Sequence, residues 1–175
     1  MRSSLKKALF LDRDGVINVD HDYVHKPDEF DFIDGIFELC KHYQNLGFMI
    51  FVITNQSGIS RGFYSEEDFE HLSEWMVGEF ARHDVKITKV YHCPHHPDIS
   101  GECSCRKPHA GMLLDAQKEF NVDLPNSVLV GDKERDIEAG LGAGLKETYL
   151  FDENKNVASS KATKIVSKFE DIWNK

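Results

Sequence analysis

Apolar residues in this chain bunch into short runs that end in polar turns. Ala8-Leu9-Phe10-Leu11, Phe48-Met49-Ile50-Phe51-Val52-Ile53, Ile87 to His92, Ser127-Val128-Leu129-Val130 and Thr148-Tyr149-Leu150-Phe151 are such runs. Their length and turn boundaries predict strands buried on both faces of a parallel sheet. Between them the apolar positions recur at helical spacing. Gly35 to Asn45 places Ile36, Leu39, Cys40 and Tyr43 on one face, and Gly47 closes it. Ser65-Glu66-Glu67-Asp68 is an N-cap signature with acids in the first turn. Phe69, Leu72, Met76 and Phe80 follow it, predicting a helix of about 17 residues. Gly111 to Phe120 and Glu134 to Leu141 are shorter helices, and Lys164 to Trp173 adds a last strand and helix. Val16 to Asp34 is polar and reads as a loop or small flap, and Cys93 to Lys107 as a loop dense in Cys, His and Pro. Strands alternating with helices give an α/β fold with a doubly wound parallel sheet.

Composition narrows the class. The 175 residues suit a single domain, 1–175, with a real core. A hydrophobic content of 41% with 29% charged residues is globular. A net charge of −9 argues against non-specific nucleic-acid or anionic-membrane binding. No apolar run approaches the roughly 20 residues of a membrane span. The basic start Met1 to Lys7 is followed by only about five apolar residues, too few for a signal peptide, so a cytoplasmic protein is expected. There is no internal repeat. Of the four cysteines, Cys93, Cys103 and Cys105 crowd together, which in a cytoplasmic chain points to metal more than to disulfides. Cys40 reads as a small buried hydrophobe.

The chemistry gathers at strand ends, the edge where open α/β sheets bind ligands. Asp12 and Asp14 follow the first strand, with Gly15 turning the chain away. Thr54 and Asn55 follow the second, and Asp132 and Asp136 the fourth. A loop contributes Arg106 and Lys107. Asp and Gly occur in many strand-to-helix turns without catalysis; the convergence of three such ends is the specific signal. Carboxylates with a phosphate oxygen form a typical Mg²⁺ shell. A hydroxyl, a Lys and an Arg suit phosphoryl oxygens. Cys93, His95, Cys103 and Cys105 make a closed three-Cys, one-His set for a structural Zn²⁺, with His92 and His96 as rival ligands.

Asp12-Arg13-Asp14-Gly15, Thr54-Asn55, Arg106-Lys107-Pro108 and Gly131-Asp132 resemble the four motifs of the haloacid-dehalogenase superfamily of phosphatases, across nearly the whole chain. Asn18 to His25, Thr54 to Ile59 and Cys93 to Pro97 are similar to a branch that acts on a seven-carbon sugar bisphosphate and supplies bacterial lipopolysaccharide cores. Histidinol-phosphate phosphatases share the zinc loop and are the alternative. The resemblance implies that Asp12 is the nucleophile, forming an aspartyl-phosphate, and that Asp14 serves as acid and then base. It implies Mg²⁺ held by Asp12, Asp132 and the backbone carbonyl of Asp14, with Thr54 and Lys107 stabilising the phosphoryl group. Asp20, His21, Asp22, Tyr23, Asn55, Gln56 and Ser57 are expected to contact substrate, although Asp20 to Tyr23 also fit a solvated flap. Arg106 and Lys133 are candidates for the sugar or a distal phosphate. Asp136 is expected to orient Lys107 or a metal-bound water, the alternative being a solvated helix acid. Gly58 to Gly62 form a wall of the site. The gaps between motifs leave no room for a cap domain, so a capless, monomeric enzyme with a small sugar-phosphate substrate is expected. The complete set Asp12, Asp14, Thr54, Lys107 and Asp132 argues against a non-catalytic zinc module.

Overall fold

The computed structural model describes residues 4–174; the start of the Met1 to Lys7 stretch lies outside the described residues. Six strands form one sheet, all parallel: β1 (Ala8–Leu11), β2 (Met49–Asn55), β3 (Lys89–Cys93), β4 (Val128–Gly131), β5 (Glu147–Phe151) and β6 (Lys164–Val166). Their spatial order is β3-β2-β1-β4-β5-β6, with β1 central. The chain therefore winds outward from β1 in one direction and then in the other, and the order reverses between β1 and β4. That switch point opens a crevice at the carboxyl ends of the two strands.

The helices are α1 (Ile36–Asn45), α2 (Glu66–Arg82), α3 (Pro97–Ser100), α4 (Gly111–Phe120), α5 (Glu134–Gly142) and α6 (Glu170–Trp173). Alternation along β1 explains the two layers. Leu9 and Leu11 pack with Ile36 and Leu39 of α1, Leu72, Met76 and Phe80 of α2 and Ile172 of α6. Ala8 and Phe10 face the other way, against Met112, Leu113 and Ala116 of α4 and Ile137 of α5. Because both faces are covered, every residue of β1 is buried and apolar, and the strand gives no polar alternation. Ser65 and Asp68 exchange hydrogen bonds in a reciprocal cap, which sets the start of α2 as its sequence predicts.

Several boundaries differ from the sequence expectation, most by one or two residues. β3 begins at Lys89 rather than Ile87, because pairing with β2 starts opposite Phe51, and it runs on to Cys93. β4 is Val128–Gly131, since Ser127 instead follows a 3-10 turn and uses its hydroxyl to bind Ala8 N–H. The Cys- and His-rich loop contains a helical turn, α3, with Pro97 at its start and the His96 ring accepting from Asp98 N–H. The flap expected over Val16 to Asp34 carries only a 3-10 turn, Pro27–Glu29, and isolated bridges. Nothing in that segment or between β2 and α2 adds a second layer above the cleft. Among the described residues no helix is long and apolar enough to cross a membrane.

Candidate active site

The floor of the crevice is a cluster of charge. Asp12 lies just beyond β1, where its N–H still donates to Val130 O across the sheet. Asp132 comes from the β4-to-α5 turn and Asp136 from the first turn of α5. Carboxylate oxygens of Asp12, Asp132 and Asp136 lie within 4.8 Å of one another. Gly15 is obligatory here: its φ is +90°, and a Cβ would collide with the Asp132 carboxylate. Asp136 accepts from the N–H groups of Asp132 and Lys133 through Oδ2, which secures the first turn of α5. It is 1% exposed, so it is not a solvated helix acid.

One buried ammonium serves this cluster, while the half-exposed Lys133 Nζ reaches Asp132 Oδ2 from the rim at 3.1 Å. Lys107 Nζ sits 2.9 Å from Asp12 Oδ1 and 2.7 Å from Asp136 Oδ1, and donates to Ile53 O at 2.8 Å. Burial opposes its charge, but Asp12 and Asp136 outweigh that and hold Lys107 above its ordinary pKa. Burial pushes Asp12 well above the usual carboxylate range, with the Asp136 charge adding and Lys107 opposing. Asp132 is raised by burial and then by Asp136. Burial also penalises Asp136, yet the Lys107 charge prevails and holds it low. With all three carboxylates ionised, Lys107 and the half-exposed Lys133 leave one negative charge without a partner. Asp132 Oδ1 is buried with no hydrogen-bond partner among the described residues. A divalent cation meets both needs, and the oxygen-only donor set suits Mg²⁺.

Asn55, at the end of β2, holds Lys107 by its backbone. The Asn55 amide donates to Lys107 O at 3.1 Å and accepts from Lys107 N–H at 3.0 Å. Its polar atoms are therefore committed to the chain that carries the lysine. Asp14 is surrounded by donors: Arg13 Nη2 at 2.9 and 3.1 Å, Asn18 Nδ2 at 3.1 Å and Gln56 Nε2 at 3.1 Å. Arg13 is almost wholly buried, and its Nη2 also donates to Val24 O.

Above the floor lies a polar cleft of about 260 Å³, whose lining includes Asp12, Asp14, Asp20, Asp22, Tyr23, Asn55, Gln56, Ser57, Arg106, Lys107, Asp132 and Lys133. Thr54 is buried beneath it. His21 is not part of the lining; its Nε2 turns outward to Asp31 Oδ2 at 2.7 Å. Gly58, Arg61, Tyr64 and Arg135 complete the walls. Tyr64 and Arg135 were not singled out by the sequence; the one available signal was position, since Arg135 follows Asp132-Lys133 in the first turn of α5. Asp22 and Tyr23 both adopt left-handed backbone, φ 58° and 55°, which turns the Tyr23 ring edge-on to Phe63 at 4.7 Å.

The second cluster is Cys93, His95, Cys103 and Cys105, whose ligand atoms lie within 4.8 Å of one another. Cys103 Sγ is 3.5 Å from both Cys93 Sγ and Cys105 Sγ, and His95 Nδ1 is 3.4 Å from Cys105 Sγ. No disulfide forms. Burial raises the Cys103 thiol, but the Arg106 N–H and the neighbouring thiols and imidazole bring it down to about 7, a value that favours the metal-binding thiolate. Soft sulfur with one imidazole is the donor set of a closed Zn²⁺ site. His92 instead pairs with Glu66, and His96 caps α3, so neither rival joins the cluster.

A family model described as HAD-hydrolase-like matches residues 104–168. The D-glycero-alpha-D-manno-heptose-1,7-bisphosphate 7-phosphatase of Campylobacter jejuni is 53% identical over 149 residues, 85% of this chain and 84% of that protein. The D-glycero-beta-D-manno-heptose-1,7-bisphosphate 7-phosphatase of Haemophilus influenzae is 46% identical over 157 residues, 87% and 85% of the two chains. Among solved structures, D,D-heptose 1,7-bisphosphate phosphatase from B. bronchiseptica, complexed with magnesium and phosphate, superposes with a TM-score of 0.83 at 29% identity, covering 95% of each chain. The parallel sheet, its carboxylate floor and these relatives define a phosphomonoester hydrolase of the haloacid-dehalogenase-like class. Within that class the chain belongs to the D-glycero-D-manno-heptose-1,7-bisphosphate 7-phosphatase family.

The charge balance of the floor predicts the effect of Lys107→Met. Removing one partner of a buried ion pair costs about 3–5 kcal/mol, and that loss is expected near neutral pH. Lys107 has a raised folded-state pKa, so its contribution is fully present below the ordinary lysine value and is lost only above it. Asp12 and Asp132 are raised, so the folded state holds their protons more tightly and their charge weighs against folding as pH climbs through that window. On acidification both take up protons and need the ammonium less. Urea denaturation without added metal should show a smaller loss at about pH 4.5 than at about pH 7.5. An equal loss at both would contradict the charge cluster.

Proposed function

We propose that this chain hydrolyses the C7 phosphate of D-glycero-D-manno-heptose 1,7-bisphosphate and leaves the C1 phosphate on the sugar, supplying heptose for lipopolysaccharide cores. The observation that carries this reading is the buried Asp12–Lys107–Asp136 group at the floor of a cleft whose rim is cationic. Arg61, Arg106, Lys133 and Arg135 all line that cleft. A bisphosphate suits it: one phosphate reaches the floor while the other meets the rim. The primary C7 phosphate is the extended end of the sugar and the better fit for a deep nucleophile.

Asp12 Oδ1 is occupied by Lys107 and by the Arg13 N–H at 2.8 Å, so attack falls to Oδ2. Oδ2 bonds to phosphorus as the C7–O–P bond breaks, and Asp14 delivers a proton to the departing C7 oxygen. Asp14 then takes a proton from water as that water attacks the aspartyl-phosphate, which returns the Asp12 carboxylate and releases inorganic phosphate. Thr54 and Lys107 stabilise charge on the phosphoryl oxygens. Asp12, Asp132 and the Asp14 carbonyl would hold Mg²⁺, which when bound offsets the repulsion between carboxylate and phosphate. Asp136 anchors Lys107. Cys93, His95, Cys103 and Cys105 would hold Zn²⁺ as a structural ion. Asp20, Asp22, Tyr23 and Ser57 face the sugar. His21 supports the flap from outside by its pair with Asp31.

Phosphorus NMR of the product tests the regiochemistry. The expected spectrum keeps the C1 phosphate and loses the C7 monoester, and Asp12→Asn gives no turnover while remaining folded. A product with free C1 and an intact C7 phosphate would contradict the reading.

The zinc set lies directly before the catalytic lysine in sequence: Cys105, Arg106, Lys107. Arg106 Nη1 also donates to His95 O at 3.2 Å, tying the loop to itself. Cys105→Ser should therefore lower zinc content and reduce kcat by some fraction of the roughly 100- to 1000-fold lost when one preorganised donor is removed. Elemental analysis beside steady-state kinetics in saturating Mg²⁺ measures both. Full activity in zinc-free protein would remove the link between loop and lysine.

A further inference from the structure

Gln56 was expected to meet the sugar, but its side chain is spent on the machinery beneath. The residue is 2% exposed. Its Nε2 donates to Thr54 Oγ1 at 2.8 Å and to Asp14 Oδ2 at 3.1 Å, which uses both amide hydrogens. Its Oε1 accepts from the Tyr64 hydroxyl. Its backbone N–H donates to Cys93 O at 2.7 Å, fastening it to the end of β3. Tyr64 in turn is buried and stacked on His25, ring centroids 5.1 Å apart and nearly parallel.

We infer that Gln56 is a positioning residue that sets the polarity of the Thr54 hydroxyl and holds Asp14 in register with it. A hydroxyl has one hydrogen to give. Since Gln56 approaches Thr54 as a donor, it occupies an acceptor site on Oγ1 and leaves the hydrogen unclaimed. Among the described residues that hydrogen has only a 3.5 Å contact to Asn55 O, at the limit of a hydrogen bond. It is thus available to an anionic phosphoryl oxygen. The reversed amide would present oxygen to Thr54, consuming that hydrogen, and would set oxygen against the Asp14 carboxylate. The Asp14 carboxylate, an acceptor, therefore selects a single amide orientation, and in it the Tyr64 hydroxyl donates to Oε1 and holds the amide in place. One buried amide couples the residue that binds the phosphoryl group to the residue that moves the proton, and it touches no substrate. The inference rests on the phosphatase reading above.

The test uses Gln56→Met, which keeps side-chain length without donors, and Tyr64→Phe, which keeps the ring stack and removes the hydroxyl that holds the amide oxygen. Each is assayed in saturating Mg²⁺ on heptose 1,7-bisphosphate and on p-nitrophenyl phosphate, which has no sugar. Gln56→Met should lower kcat by about 100-fold on both substrates, with KM changed by less than about threefold. Tyr64→Phe should lower kcat about tenfold on both, the equivalent of one hydrogen bond. Inhibition by orthovanadate, which resembles the transferring phosphoryl group, should weaken in parallel. A raised KM for the heptose bisphosphate alone, with p-nitrophenyl phosphate turnover intact, would make Gln56 a sugar contact and overturn the inference. Wild-type kcat in both variants would overturn it as well. Should Gln56→Met fail to fold, Tyr64→Phe decides alone. Failure of the phosphatase reading looks different: the unmodified protein would then release no phosphate from either substrate.

Discussion

The site depends on a shortage of positive charge. Three carboxylates converge where β1 and β4 diverge, and one buried lysine stands among them. Such a group is stable only if its charges are paired and hydrogen-bonded. The lysine comes from a loop 95 residues beyond Asp12, so the fold must deliver it with accuracy. It does so from several directions. Asn55 clasps the Lys107 peptide, Ile53 O accepts from its ammonium, and the Cys93–His95–Cys103–Cys105 cluster gathers the chain that leads into it. The remaining deficit suits the floor to a divalent cation, and in the proposed function that cation lets the floor receive a phosphate.

The two acids of the first loop illustrate how environment divides labour. Asp12 is buried beside other carboxylates, and one oxygen is fixed by donors; in the proposed mechanism the other is the one that attacks. Asp14 lies nearer the cleft, ringed by Arg13, Asn18 and Gln56. The residues that surround it are not bystanders: through Gln56 the same network reaches Thr54 and Tyr64. On the proposed reading, this network joins proton transfer to phosphoryl binding below the cleft surface and leaves substrate recognition to the rim.

Much of this was legible beforehand for a physical reason. A central strand of a parallel sheet is apolar throughout, so β1, β2 and β4 announce themselves, and whatever follows them must lie at one sheet edge. The reciprocal cap at Ser65 and Asp68 is a local interaction and reads directly from spacing. The zinc set is a matter of residue type and proximity in the chain. Side-chain direction is different, because tertiary partners set it. His21 sits in the expected flap but faces Asp31 and solvent. Asn55 and Gln56 follow the second strand as expected, yet one holds a backbone and the other a hydroxyl and a carboxylate. Arg61 lies in the expected Gly58 to Gly62 wall, whereas Tyr64 reaches the cleft from the loop ahead of α2 and Arg135 from the first turn of α5, neither marked by a motif of its own. The start of β3 is set by where pairing with β2 becomes possible, not by where its apolar residues begin.

The central claim is that a divalent cation completes the charge of the carboxylate floor, and calorimetric titration of Mg²⁺ tests it most directly. Performed in buffers of different ionisation heat, it reports stoichiometry and protons together. Burial raises Asp12 and Asp132, so binding must expel protons from them, and more protons as pH falls. The account predicts one ion per chain, proton release that grows on acidification, and loss of binding in Asp132→Asn. Unchanged Mg²⁺ affinity in Asp132→Asn, or proton release that does not grow on acidification, would contradict it.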